Sequence, residues 1–138
     1  AFMQYLKRGE DFITPEGEIV ANELLTVAPP PARSFAYMTD TLFRERFADY
    51  VRGVDLLYHE ATYMNADAVL AKESYHSTTG QAARIAELAG VGKLLLGHFS
   101  ARYTECSELL AEAREVFPNT FLCSDGDLFE VPAVKRRS

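Results

Sequence analysis

Three short apolar runs, each closed by polar residues, constrain this chain more than any other feature. They are residues 34–39, 54–59 and 93–97, and they end in Asp40, His59-Glu60 and His98. Near-continuous apolar runs of this length read as strands buried on both faces. Between them the period changes to that of a helix. In residues 42–52, Leu42, Phe43, Phe47, Tyr50 and Val51 keep one face, and Arg44, Glu45, Arg46 and Asp49 keep the other. Residues 66–73 form a shorter helical stretch. Thr78 followed by Gln81 makes a capping box, because each side chain can satisfy the other's free backbone N–H. Ala82, Ile85, Ala86 and Ala89 follow at helical spacing, and Gly90 ends the helix. Cys106, Leu109, Leu110, Ala113 and Phe117 predict one more amphipathic helix, stopped by Pro118. Strand and helix alternate, so the fold class is α/β, a layered sheet with flanking helices.

The flanks are less regular. Residues 2–8 read as a short helix stopped by Gly9. Residues 11–14 and 18–20 surround Pro15-Glu16-Gly17 and predict a hairpin. Residues 22–26 carry no clear pattern, and the proline run 29–31 makes a stiff extended connector. Residues 120–124 and 128–131 predict two last strands joined by a turn at Asp125-Gly126-Asp127. A basic stretch closes the chain at residues 135–137. With no long internal linker, residues 1–138 read as a single domain, long enough for a real core.

Charge and composition exclude some functions. A net charge of −6 speaks against a surface that coats nucleic acid, though not against an enzyme acting on one. No apolar run approaches the roughly 18 residues of a membrane span, and no leader is visible, so a cytoplasmic setting is expected. Cys106 and Cys123 lack metal or redox spacing and read as reduced thiols.

All three histidines stand near strand ends or a helix start: His59, His76 and His98. In α/β sheets, functional groups gather beyond the carboxyl ends of the strands. Asp and His there suit a metal of the zinc type. Each residue also has a plainer role available. Asp40 can cap the following helix, and Glu60 can satisfy backbone donors. His76 can be a loop histidine and His98 a core one. His59 reads as structural, and Arg102 can pair with a surface carboxylate.

The order of these residues sharpens the reading. Tyr37-Met38-Thr39-Asp40-Thr41, His59-Glu60-Ala61-Thr62, His76-Ser77-Thr78 and His98-Phe99-Ser100-Ala101-Arg102-Tyr103 resemble the C-terminal half of the ribonuclease Z family. These are tRNA 3′ endonucleases of the metallo-β-lactamase superfamily. The resemblance implies half of an αββα sandwich with a mixed sheet. It implies a zinc-dependent endoribonuclease that removes the 3′ trailer of precursor tRNA by phosphodiester hydrolysis. Asp40 would bridge two zinc ions and His98 would be a terminal ligand. Glu60 would orient and charge His76, which assists departure of the leaving oxygen. Arg102 would contact the RNA 3′ region. The implied partners are precursor tRNA, an N-terminal half and a second copy in a homodimer, with no membrane. The family's H-x-H-x-D-H metal motif is absent from this chain, so the ligand set here is incomplete. Competing readings are a phosphodiesterase for small substrates on the same fold, and a non-catalytic binding or assembly half.

Overall fold

The computed structural model describes residues 2–27 and 29–131; the basic stretch 135–137 lies outside them. Where the sequence reads as one domain, contacts gather the chain into two compact units, Ala1–Ala32 and Arg33–Ser138.

The first unit forms around one asparagine. It holds α1 (Met3–Leu6), β1 (Phe12–Ile13), β2 (Ile19–Val20) and α2 (Asn22–Leu25). The strands pair antiparallel, Phe12 opposite Val20 and Ile13 opposite Ile19, as the Pro15–Gly17 turn predicts. The Asn22 side chain donates to the carbonyls of Leu6 and Glu10, at 2.8 and 2.9 Å. Its backbone N–H donates to Asp11 Oδ1. These bonds tie both helical turns to the hairpin, and they give the patternless residues after Ala21 a helical turn.

The second unit carries β3 (Phe35–Met38), a 3-10 helix (Glu45–Val51), β4 (Leu56–Glu60) and a 3-10 turn (Asn65–Asp67). It continues with α3 (Ala68–Glu73), α4 (Thr79–Ala89), β5 (Lys93–Gly97), α5 (Ser107–Val116) and β6 (Thr120–Leu122). The sheet has the order β3-β4-β5-β6 and every pair is parallel. The expected mixed sheet is therefore corrected to a parallel one. The predicted final hairpin does not form among the described residues. Asp127 caps a local turn, accepting from the Ser124 N–H and donating its own N–H to the Ser124 carbonyl. Residues 128–131 then run on without strand structure.

The helix expected over residues 42–52 is also shorter and tighter, a 3-10 helix from Glu45. Thr41 is fastened to the site, its N–H donating to Glu60 Oε1 and its carbonyl accepting from Ser77 Oγ, and Arg44 is extended at φ −146°, ψ 121°, so the helical turns begin only at Glu45. Residues 34–39, expected as a buried strand, become an edge strand with Phe35 and Tyr37 exposed.

The core explains the helical layer. Leu57, Leu94 and Leu96 project from the sheet onto Ala82, Ala83, Ile85, Ala86 and Ala89 of α4, all buried. The alanines let the helix sit close, and each fully buried leucine or isoleucine contributes about 1.5–3 kcal/mol. The capping box forms as predicted: Gln81 N–H donates to Thr78 Oγ1 and Thr78 N–H to Gln81 Oε1. Gly90 closes the helix in the left-handed region at φ 61°. On the opposite face of the sheet, Tyr37 stacks on Tyr58 at 4.5 Å. Asp40, Glu60 and His98 all emerge at the carboxyl ends of β3, β4 and β5.

Candidate active site

Glu60 is the anchor of the site. It is the last residue of β4 and is fully buried. A buried carboxylate is costly unless its oxygens are satisfied. Oε1 accepts from the backbone N–H groups of Thr41 and Ser77 and faces His76 Nδ1 at 3.0 Å. Oε2 accepts from the N–H and the hydroxyl of Thr62, at 3.0 and 2.8 Å. Three segments are thus fastened to one side chain: the β3 exit, the β4 exit and the loop before α4. The plainer role for Glu60, satisfying backbone donors, holds together with its pairing to His76.

His76 and His98 meet beside it. Their rings lie 5.2 Å apart, and His98 Nε2 is 3.5 Å from Asp40 Oδ1. Asp40, His76 and His98 each offer a ligand atom, and these atoms all lie within 4.8 Å of one another. Asp40 caps no helix, since the next one starts at Glu45 behind Arg44. His98 is no core histidine either; its side chain is 44% exposed. His76 is held, not loose, with 21% of its side chain exposed. His98 Nδ1 contacts Thr62 Oγ1 at 2.9 Å.

These donors fit a divalent metal of the zinc type. Two imidazoles have their Nδ1 atoms occupied by protein, and a carboxylate stands exposed between strand ends, as metal ligands with supporting hydrogen bonds require. Three donors are fewer than a closed site needs.

His59 faces the core. It is buried, with Nδ1 2.7 Å from the Glu60 carbonyl oxygen. Burial pushes its pKa below the usual histidine value, and the bond to that carbonyl offsets only part of this. Arg102 stands outside the donor cluster. It pairs with Asp67 at 3.3 Å and lies over the Tyr63 ring at 5.4 Å. Tyr63 in turn has its ring 6.4 Å from that of His76. Tyr103 accepts from Met64 N–H and donates to Asp67, so Arg102 and Tyr103 share one carboxylate.

Thr41, Thr62 and Ser77 all brace Glu60, a role that their residue types do not announce. One signal was available for Thr62. It follows Glu60 by two residues, which in an extended chain puts both side chains on one face.

A family model described as a beta-lactamase superfamily domain matches residues 24–99, and the chain belongs to this superfamily. More particularly, it is similar to proteins named Ribonuclease Z. That of Bacteroides fragilis (strain YCH46) is 52% identical over 120 residues, which are 87% of this chain and 40% of the relative. That of Porphyromonas gingivalis (strain W83) is 46% identical over 117 residues, 85% of this chain and 38% of the relative. Among solved structures, human tRNase Z, short form, matches 83% of this chain and 37% of its own, with TM-score 0.56 and 28% identity. The metallo-beta-lactamase fold protein YhfI from Bacillus subtilis matches 70% of this chain and 39% of its own, with TM-score 0.65 and 26% identity. The chain spans about two-fifths of the length of the curated relatives it matches.

Proposed function

We propose that this chain is the C-terminal part of a zinc-dependent endoribonuclease that removes the 3′ trailer from precursor tRNA, leaving a 3′-hydroxyl. One observation carries the reading: a buried carboxylate, Glu60, holds His76 beside the donor atoms of Asp40 and His98. The similarity to Ribonuclease Z supports the substrate. Asp40 and His98 are the residues that would hold zinc, together with ligands from a part of the protein outside this chain. Bound zinc supplies an activated water and neutralises phosphate charge.

The chain's own residues then have separate tasks. Glu60 accepts His76 Nδ1–H and so fixes the ring with Nε2 outward. As the imidazolium, the ring also carries a proton on Nε2; it passes this proton to the departing ribose 3′ oxygen, a poor leaving group unprotonated, and is left neutral with Nδ1–H still on Glu60. Arg102, steadied by Asp67 and Tyr63, supplies a cation at the rim for the RNA 3′ region. The face carrying Phe35 and Tyr37, 54% and 61% exposed, suits burial against the rest of the full-length protein. A homodimer belongs to the same proposal.

The test uses full-length protein and a precursor tRNA with a 3′ trailer. His76→Ala is expected to cut turnover strongly with zinc content nearly unchanged. Asp40→Ala and His98→Ala are expected to lose zinc as well. Equal zinc loss in all three would make His76 a third ligand, and no cleavage by the wild type would end the tRNA reading.

A further inference from the structure

We infer that Thr62 is a positioning residue: its hydroxyl relays the Glu60 carboxylate to His98, fixing that ring with hydrogen on Nδ1 and the Nε2 lone pair toward the metal. The inference rests on the reading of His98 as a metal ligand.

The hydrogens around Glu60 fix the direction of each bond. Each Glu60 oxygen faces at least one backbone N–H: Thr41 and Ser77 at Oε1, Thr62 at Oε2. A backbone N–H can only donate, so both oxygens serve as acceptors. The Thr62 hydroxyl, 2.8 Å from Oε2, must therefore donate to it. A hydroxyl has one hydrogen, so toward His98 Nδ1, at 2.9 Å, it offers only lone pairs. Nδ1 must then carry the hydrogen of the neutral ring, which leaves Nε2 free. Nε2 is the nitrogen that lies 3.5 Å from Asp40 Oδ1.

The other oxygen of Glu60 orients His76 by accepting from its Nδ1–H, 3.0 Å from Oε1, and leaves Nε2 for the proton that His76 passes on. One carboxylate thus sets two imidazoles, directly through Oε1 and through Thr62 from Oε2. The backbone supports the relay. Ser100 N–H donates to the Thr62 carbonyl at 3.0 Å, and Ala61 N–H to the Gly97 carbonyl at 2.9 Å. The turn bearing His98 is stitched on both flanks to the segment bearing Thr62. The backbone bonds place the loop, and the hydroxyl orients the ring.

Serine retains the relay, and valine keeps the shape of threonine without it. The experiment takes full-length protein labelled with 15N-histidine and reads side-chain nitrogens by long-range 1H–15N NMR, with His98 assigned from a His98→Asn variant. Metal-free wild type should show His98 protonated on Nδ1, and Thr62→Ser should match it. Thr62→Val should lose that single tautomer and weaken zinc binding about 10- to 100-fold. A wild-type His98 protonated on Nε2 overturns the inference even if Thr62→Val fails to fold. So does a folded Thr62→Val with unchanged tautomer and unchanged zinc affinity. His98→Ala binding zinc as tightly as wild type would instead sink the ligand reading beneath it.

Discussion

Replacing Glu60 by glutamine keeps the shape and removes the charge, so the cost can be worked from the donors it faces. The amide NH2 must take the place of one oxygen. At Oε1 it would meet two backbone N–H groups and His76 Nδ1. At Oε2 it would meet one backbone N–H and a hydroxyl that can rotate. The second arrangement orphans fewer donors and should prevail. It leaves the buried Thr62 N–H unpaired, and the three bonds at Oε1 weaken when the acceptor becomes neutral. Together these terms give a loss of about 2–4 kcal/mol for Glu60→Gln. Guanidinium denaturation of full-length protein without metal measures it, free of any contribution from zinc. A loss under about 0.5 kcal/mol, the range of ordinary surface changes, would refute the hydrogen-bond inventory of Glu60. The same substitution lets the Thr62 hydroxyl accept from the new amide and turn its hydrogen toward His98. The tautomer of His98 should therefore loosen in Glu60→Gln as it does in Thr62→Val.

Two other perturbations follow from the packing. A Cβ at Gly80 would lie 2.5 Å from Asn65 Nδ2, and Asn65 is held by Thr78 Oγ1 and Glu112, so Gly80→Ala should cost about 1–3 kcal/mol by denaturation. His59 has a folded pKa below its ordinary 6.5, so the unfolded chain binds more protons in acid. Its contribution is full above 6.5 and is lost as pH falls below that value, with a limiting slope of about 1.4 kcal/mol per pH unit. Denaturation between pH 7.5 and 5.5 should show a steeper loss in wild type than in His59→Gln, and equal slopes would mean that His59 does not titrate on unfolding (about one proton in the steepest range).

Much of this fold was legible because local and tertiary signals agree. The helix after Thr78 has a capping box at its start, alanine and isoleucine on one face and glycine at its end, and it forms as read. Parallel strands at residues 56–60 and 93–97 followed from apolar runs that tertiary burial then satisfied. Legibility failed where a backbone group is engaged elsewhere. Residues 42–52 have a helical pattern, but Thr41 gives its N–H to Glu60 and its carbonyl to Ser77, and Arg44 is extended. Residues 120–131 have a hairpin pattern, but Asp127 turns its bonds back on Ser124. Neither partner can be read from spacing. In the site, residue types that could ligate or titrate were visible, and Asp40, Glu60, His76 and His98 do converge. Thr41 and Ser77, which organise them, were not, because both reach Glu60 through backbone N–H groups that every residue type carries, and only Thr62 left a trace, in its spacing from Glu60.

Backbone conformation shows what these bonds hold in place. Among the described residues, the non-glycine residues with positive φ are Asp40 at 46°, Tyr75 at 61° and His98 at 61°. Two are donors of the cluster and the third immediately precedes the remaining donor, His76. Asp and His visit this region more readily than most residues, but a tyrosine there is unusual. Such positions cost about 1–3 kcal/mol each and persist only where neighbours hold them. Here the neighbours are identifiable. His76 N–H donates to the Ala71 carbonyl and Ser77 N–H to Glu60, which fixes the chain after Tyr75. Thr41 N–H donates to Glu60 after Asp40, and Ser100 N–H to Thr62 after His98. Each strained turn is thus clamped on its C-terminal side by Glu60 or by the residue that Glu60 holds. The carboxylate at the end of β4 therefore does more than pair with one histidine. It keeps three unfavourable turns in place, so that the donors they carry face one another before any metal arrives.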